Sequence, residues 1–276
     1  MQHRAICKLG LSPCPNDTFI FHALLHGLVD FPLAELKPRL ADVEALNQWV
    51  VQGEPEFSKI SVGVVPHIMD NYALLASGSA LGFKVGPLVV ARKPLGMSEL
   101  QQARVAVPGL HTTANMLLHL TGMFKGERKE MLFSDVMSAV SRGDVDAGVI
   151  IHEGRFTFAE HGLVKILDLG EWWEETFHLP LPLGVIAVRR DVDHDIAHAM
   201  QKAIAASLSY ANKNPQASAS FIRENAQELT PEVIQAHIKT FVTNYSLDLG
   251  EEGRAAITKL IQVAGLALPK EGLFLN

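Results

Sequence analysis

Cysteine is scarce: the 276-residue sequence holds only Cys7 and Cys14. Two thiols cannot build a disulfide framework, and their spacing matches no zinc or redox motif, so they read as ordinary thiols of a reducing compartment. A basic block is missing too. The 24 Lys and Arg stand against 30 Asp and Glu, a net charge of −6, and no run of five to eight cations occurs, which removes the electrostatic footprint of nucleic-acid binding. No stretch approaches the roughly 18 apolar residues of a membrane-spanning helix. The opening Met1-Gln2-His3-Arg4-Ala5-Ile6-Cys7 lacks the apolar run of a secretory signal. A cytoplasmic protein with small-molecule partners, no nucleic acid and no membrane is expected; the sequence leaves the oligomeric state open.

Nucleotide and hydrolase fingerprints are also absent: there is no G-x-x-x-x-G-K-[ST], G-x-G-x-x-G, H-E-x-x-H or G-x-S-x-G. The 12 histidines are scattered. His22 and His26, like His194 and His198, stand at i, i+4 on amphipathic stretches without a third ligand, so no metal site is expected. Neither an internal repeat nor a low-complexity linker is present.

What the chain does have is 48% hydrophobic and 20% charged residues, laid out as short apolar runs alternating with amphipathic stretches. That is the pattern of an α/β fold. At about 150 residues per domain, the length predicts about two domains or one large one. Strands are expected over Ile6–Leu11, Ser58–Gly63 (with a turn), Leu88–Ala91, Arg104–Val107, Val149–Ile151 and Leu183–Arg189. A helix capped by Asn16 or Asp17 is expected from Thr18 to about Leu28, stopping near Gly27. Asp42 caps a second helix closed by Gly53, and a third runs from the Thr112-Thr113 turn to about Leu120. Beyond Asp191 the pattern turns to four helices, broken near Asn214-Pro215, Thr230-Pro231 and Leu249-Gly250. Pro231 there suits the first turn after a Thr230 cap. With no flexible tether, the chain is expected to cross between two lobes on extended segments near Val90–Leu95 and Val185–Arg190. This gives a first lobe of residues 1–92 plus 188–276, including the C-terminal helices, and an inserted lobe of residues 93–187. A cleft between two such lobes is the usual place for a small ligand.

Three segments combine strand ends with helix starts or titratable groups. Ser12-Pro13-Cys14-Pro15-Asn16-Asp17-Thr18 places a helix N-terminus, with its free N–H groups, at a strand end. His111-Thr112-Thr113-Ala114 does the same with two hydroxyls. Both fit either simple capping or the holding of an anionic or hydroxylated ligand. Ile150-Ile151-His152-Glu153-Gly154-Arg155 delivers His152 at the end of a strand, where α/β proteins bind ligands. The near-neutral pKa of histidine suits a general base, although a hydrogen-bonded structural histidine fits the same pattern. Lys59, between Ser58 and Ser61, is either a cation for an acidic ligand or a solvated lysine.

These segments, with Gly86-Pro87-Leu88-Val89-Val90-Ala91, Leu179-Pro180-Leu181-Pro182-Leu183-Gly184 and Asn244-Tyr245-Ser246-Leu247-Asp248, resemble in order the signatures of the 1,4-dihydroxy-6-naphthoate synthases of the futalosine route to menaquinone. The resemblance covers nearly the whole chain. It implies the type II periplasmic-binding-protein-like fold: α/β, two lobes, ligand between them. It implies a carbon–carbon lyase that converts cyclic dehypoxanthinyl futalosine to 1,4-dihydroxy-6-naphthoate without metal or organic cofactor. By the same resemblance His152 is the proton acceptor, Lys59, Ile60 and Ser61 line one wall of the site of a carboxylate substrate, and Thr112, Thr113 and Ala114 line the opposite one. Two alternatives use the same fold: a solute-binding protein for a small carboxylate, against which the missing export signal counts, and the chorismate dehydratase of the same pathway. A regulator's sensing domain is a third, which no DNA-binding module or basic patch supports.

Overall fold

The computed structural model describes residues 4–226 and 230–276. Its strands, in chain order, are β1 (Ala5–Leu11), β2 (Ala34–Leu40), β3 (Phe57–Ser61), β4 (Tyr72–Leu74), β5 (Ala80–Gly82), β6 (Leu88–Ala91), β7 (Val105–Val107), β8 (Arg128–Glu130), β9 (Ala147–Ile150), β10 (Val164–Asp168) and β11 (Leu181–Arg189). They sort into two sheets. The first runs β2-β1-β3-β11-β4, with β5 also paired to β11; β1 is parallel to β2 and β3, and β11 is antiparallel to all its partners. The second runs β10-β6-β9-β7-β8, parallel from β9 through β8 and antiparallel from β10 through β9. Leu88–Ala91, Val105–Val107 and Ala147–Ile150 are buried at every position, which is why they read as unbroken apolar runs rather than alternating ones.

The crossings between lobes differ from the expected boundaries. The chain leaves the first sheet between β5 and β6 and returns between β10 and β11. Thus β6, which the expected 92/93 boundary assigns to the first lobe, lies wholly in the second sheet, pairing Leu88 with Ile150 and Ala91 with Ala147. Conversely β11 belongs to the first sheet from Leu181 onward, because Gly184 to Val188 are the antiparallel partners of Ser61 to Phe57. Divisions at 92/93 and 187/188 therefore cut behind one sheet's strand and inside another's. A short β-branched run carries no mark of the sheet it joins, so the pattern alone misplaced both.

Local signals decide the helix starts. Asp42 accepts from the amides of Glu44 and Ala45 to start the Val43–Val51 helix. Thr112 accepts from Asn115 N at the Thr113–Leu120 helix, and Thr230 accepts from Val233 N ahead of Pro231. The first helix begins earlier than expected, spanning Pro15–Leu25 with Cys14 at the N-cap. Pro15 is pre-shaped for a first helical turn, so Asn16 and Asp17 sit inside that turn with side chains free for other work. Past β11 the chain forms His194–Lys213, Ala219–Asn225, Pro231–Phe241, a short Asn244–Leu247 turn not anticipated, and Gly250–Val263.

Met200, Ile204 and Leu208 of the C-terminal helices pack on Leu9, Ile20, Phe57 and Ile186 of the first lobe. A second apolar cluster is shared by the two sheets: Ile60, Leu81 and Val185 from the first, Val89, Val107 and Val149 from the second, with Leu117 and Trp173 between. The lobes are therefore clasped along an apolar seam, and the cleft opens beside it. Among the described residues no helix is long and apolar enough to cross a membrane.

Candidate active site

Lys59, Ile60, Ser61, Thr112, Thr113, Ala114 and His152 all line one cavity between the lobes. Ser12, Asn16, Asp17, Arg155 and Leu183 share its wall. The elements explain the convergence. Residues 59–61 end β3, and the turn after β7 leads into the Thr113–Leu120 helix. His152 stands two residues past the end of β9.

Lys59 is not a free cation. Its ammonium lies 2.8 Å from Asp17 Oδ1 and donates to Gly78 O at 3.0 Å, with both side chains buried. Asp17 also accepts from Ser12 N at 3.2 Å and from Asn16 Nδ2 at 2.9 Å. Arg155 is committed in the same way, donating to Gly86 O and, at 2.9 Å, to the buried Asp168 carboxylate. Lys59 and Arg155, the lysine and arginine that face the cavity, are thus both paired with buried acids. Ser61 is fixed at both ends by Asn47, its amide on Oδ1 at 2.9 Å and its hydroxyl taking Nδ2 at 3.1 Å.

The Thr113–Leu120 helix supplies the remaining positive end. Thr112 donates its hydroxyl to Gly109 O and caps Asn115 N. Thr113 donates to Leu183 O at 2.7 Å and accepts from Gly63 N at 3.0 Å. The threonine hydroxyls are therefore spent on structure, Thr113's across the lobes. The amides of Thr113 and Ala114, first in the helix, have no acceptor within it and carry the positive end of its dipole.

Closure is held by further contacts across the cleft. Glu44 of the first lobe meets His111 of the second, with Nδ1 to Oε1 2.6 Å and the His111 amide on Oε2 at 3.2 Å. Gly63 lies so close to the Thr112–Thr113 peptide that a Cβ there would sit 2.6 Å from Thr112 C and O.

His152 takes a left-handed backbone conformation, φ 54°, uncommon for a residue with a side chain. Its half-buried ring meets the edge of Phe133 at 5.1 Å and stacks on His237 at 6.0 Å. Cys14 Sγ lies 3.6 Å from Nδ1 and 4.0 Å from Nε2. Burial pushes this imidazole's pKa down, but the electrostatic influence and hydrogen bond of the Cys14 sulfur, with Glu153 and Asp17, outweigh it and lift the value to about 9. His237 goes the other way: fully buried, with His152 and Lys59 near, it is held well below the usual range. Its Nε2 is 3.0 Å from Asn16 Oδ1. Since that oxygen only accepts, Nε2 carries the proton of a neutral ring. Among the described residues no cluster of three or more His, Cys, Asp or Glu is arranged to hold a metal ion.

A family model described as menaquinone biosynthesis matches residues 7–265. The chain belongs to the menaquinone biosynthesis family. Two relatives in this family are named 1,4-dihydroxy-6-naphtoate synthase. That of Thermus thermophilus is 48% identical, covering 95% of this chain and 96% of its own. That of Streptomyces coelicolor is 41% identical, covering 92% and 91%. Protein AF1704 from Archaeoglobus fulgidus, a crystal structure, superposes with a TM-score of 0.89 at 35% identity over 96% of this chain and 98% of its own. The alkanesulfonate-binding protein from Xanthomonas axonopodis bound to MOPS superposes at 0.68 with 13% identity, covering 99% and 97%. At that identity the likeness speaks to fold alone, and the fold of this menaquinone biosynthesis family member is that of the periplasmic binding proteins.

Several participants in the family member's site were not singled out by role in the sequence. Cys14 read as an ordinary thiol, and it stands against His152. Asp17 and Asn16 read as cap residues; one pairs Lys59 and the other holds His237, which carried no signal at all. A buried i to i+3/i+4 face on the Pro231–Phe241 helix would have flagged His237 as inward-facing, but not its partner.

Proposed function

We propose that this chain is a cofactor-independent carbon–carbon lyase that converts cyclic dehypoxanthinyl futalosine to 1,4-dihydroxy-6-naphthoate, with His152 as the proton acceptor. The observation that carries the reading is His152 itself, held in a left-handed turn at the end of β9 and turned into the cavity that residues 59–61 and 112–114 line. The names of the two relatives supply the product.

The substrate carries a carboxylate. With Lys59 and Arg155 already paired, the carboxylate's place is at the first-turn amides of Thr113 and Ala114, where the helix dipole favours an anion; of the three Lys59 protons, one is left to assist. The chemistry asks little more of the protein. The substrate's carbocycle is already close to a naphthalene, so loss of one proton to His152 starts a collapse that ends in an aromatic ring. A substrate carbonyl takes up the electrons as the bond to the sugar-derived three-carbon fragment breaks in retro-aldol fashion. A positioned base contributes about 10²–10⁴-fold, and closure of the lobes orients the substrate and excludes water.

The test is to incubate the metal-stripped protein with cyclic dehypoxanthinyl futalosine and follow the absorbance and mass of 1,4-dihydroxy-6-naphthoate. Product without added cofactor is expected. Tight binding without product would favour a solute-binding protein instead. For His152→Asn the expected result is turnover down about 10²–10⁴-fold with binding retained; near-normal turnover would remove His152 as the base.

A further inference from the structure

The ring of His152 has little to hold it. Its backbone is a left-handed turn residue rather than part of β9, and its aromatic neighbours Phe133 and His237 fix a plane but offer no hydrogen bond to it. Among the described residues, Cys14 Sγ is the one hydrogen-bonding atom within reach of either ring nitrogen. Cys14 itself is held firmly. Pro13 and Pro15 flank it, and its amide donates to Ser12 Oγ at 3.3 Å. Its carbonyl accepts from Thr18 Oγ1 at 3.0 Å and Thr18 N at 3.1 Å. It precedes the first-lobe helix Pro15–Leu25, whereas His152 follows a strand of the second sheet. The contact therefore exists only while the lobes are shut.

We propose that Cys14 is a positioning residue for His152: on closure its sulfur docks against the imidazole and fixes the ring's orientation. The proposal rests on the assignment of His152 as the base. A rigid first-lobe clamp then completes a base carried by the second lobe, so that the base is fully formed only around an enclosed substrate. The groups that face the ring make the electrostatics specific. Cys14 and Asp17 come from the first lobe, Asp17 being already paired with Lys59. Glu153 is the next residue in the chain, and neutral His237 stacks behind with its proton on Asn16. Of these, Cys14 alone is in hydrogen-bonding contact with the ring, so its removal leaves burial as the dominant influence.

The experiment compares the wild-type chain with Cys14→Ala and Cys14→Ser. The His152 titration is followed by NMR of isotope-labelled histidine, and kcat and KM are followed against pH with cyclic dehypoxanthinyl futalosine. In the wild type the His152 midpoint is expected at about 9, and kcat rises with pH toward it, because the base works deprotonated. In Cys14→Ala the midpoint falls below the ordinary histidine value of about 6.5, and the acid limb of kcat moves down with it. At pH 9 kcat drops by about 10²-fold, the cost of a misplaced group, while KM changes little. Cys14→Ser keeps the size of the side chain but not the sulfur. It shows the same fall in midpoint with a smaller loss of kcat, and it stands in should the alanine variant not fold. An unmoved His152 midpoint in both variants overturns the proposal whatever the turnover. Full turnover by His152→Asn overturns the base assignment instead, so the two failures are told apart.

Discussion

Replacing Lys59 by methionine tests whether its charge serves the fold or the ligand. The ammonium sits 2.8 Å from Asp17 Oδ1 with side-chain exposures of 6% and 0%, and it also donates to Gly78 O. In Lys59→Met the Asp17 carboxylate stays buried with only the Ser12 amide and Asn16 side chain to support it. Breaking a buried pair in this way costs about 3–5 kcal/mol, because the surviving charge has lost its partner in a poorly solvated place. For a chain of this length that is about 6–10 °C in Tm, at about 2 °C per kcal/mol. The double variant Asp17→Asn/Lys59→Met removes both charges and keeps the volume, so it is expected to recover at least half of the loss. Urea and thermal unfolding followed by circular dichroism, at low and high salt, read both quantities; a buried pair responds weakly to salt. A single-variant loss below about 1 kcal/mol, or a double variant no more stable than the single, would refute the reasoning. Lys59 would then be available as the carboxylate anchor.

Two further predictions concern closure and pH. Gly63→Ala is expected to raise KM and the small-angle scattering radius with unchanged far-ultraviolet circular dichroism, since the new methyl meets the Thr112–Thr113 backbone of the other lobe; an unchanged KM would show that the peptide yields. His237 titrates well below its unfolded value in the folded chain, so below about pH 6.5 the unfolded state takes up a proton that the folded state refuses. Its stabilising contribution is present above that pH and lost as pH falls, with a slope of up to about 1.4 kcal/mol per pH unit. His237→Gln is expected to flatten the fall in urea midpoint between pH 7 and 5, and an unchanged slope would sink the assignment of a neutral His237. His152, lifted to about 9, acts in the opposite sense: its contribution is full below pH 6.5 and is lost as pH rises through 9, outside that window.

Local chemistry made much of the molecule legible. Leu88–Ala91 was expected and found to the residue, and the caps at Asp42, Thr112 and Thr230 act on the amides their spacing indicates. Each of these depends on neighbours within a few positions. The Pro15–Leu25 start was misplaced because Asn16 and Asp17 are good caps in isolation, while the proline ahead of them sets the turn. The site residues could be gathered as strand ends and helix starts, but their partners could not. Asp17 and Lys59 are 42 positions apart, Glu44 and His111 are 67 apart, and Cys14 and His152 are 138 apart. Those distances are bridged by the sheet order and by closure of the lobes, which no local pattern encodes. The lobe crossings failed for the same reason: sheet membership is a property of partners, not of the run itself.

The Gly63 contact has a consequence for how defects in this chain would show themselves in a cell. Most damaging substitutions reduce abundance, because a destabilised chain spends more time unfolded and is cleared by chaperones and proteases. A methyl at position 63 presses on the backbone of the opposite lobe. The resulting protein would accumulate normally, bind weakly and turn over little. A survey that scored variants by protein level would pass it, and only one that scored function would find it. Positions of this kind, tolerant by abundance and intolerant by function, mark the surfaces along which two lobes must meet.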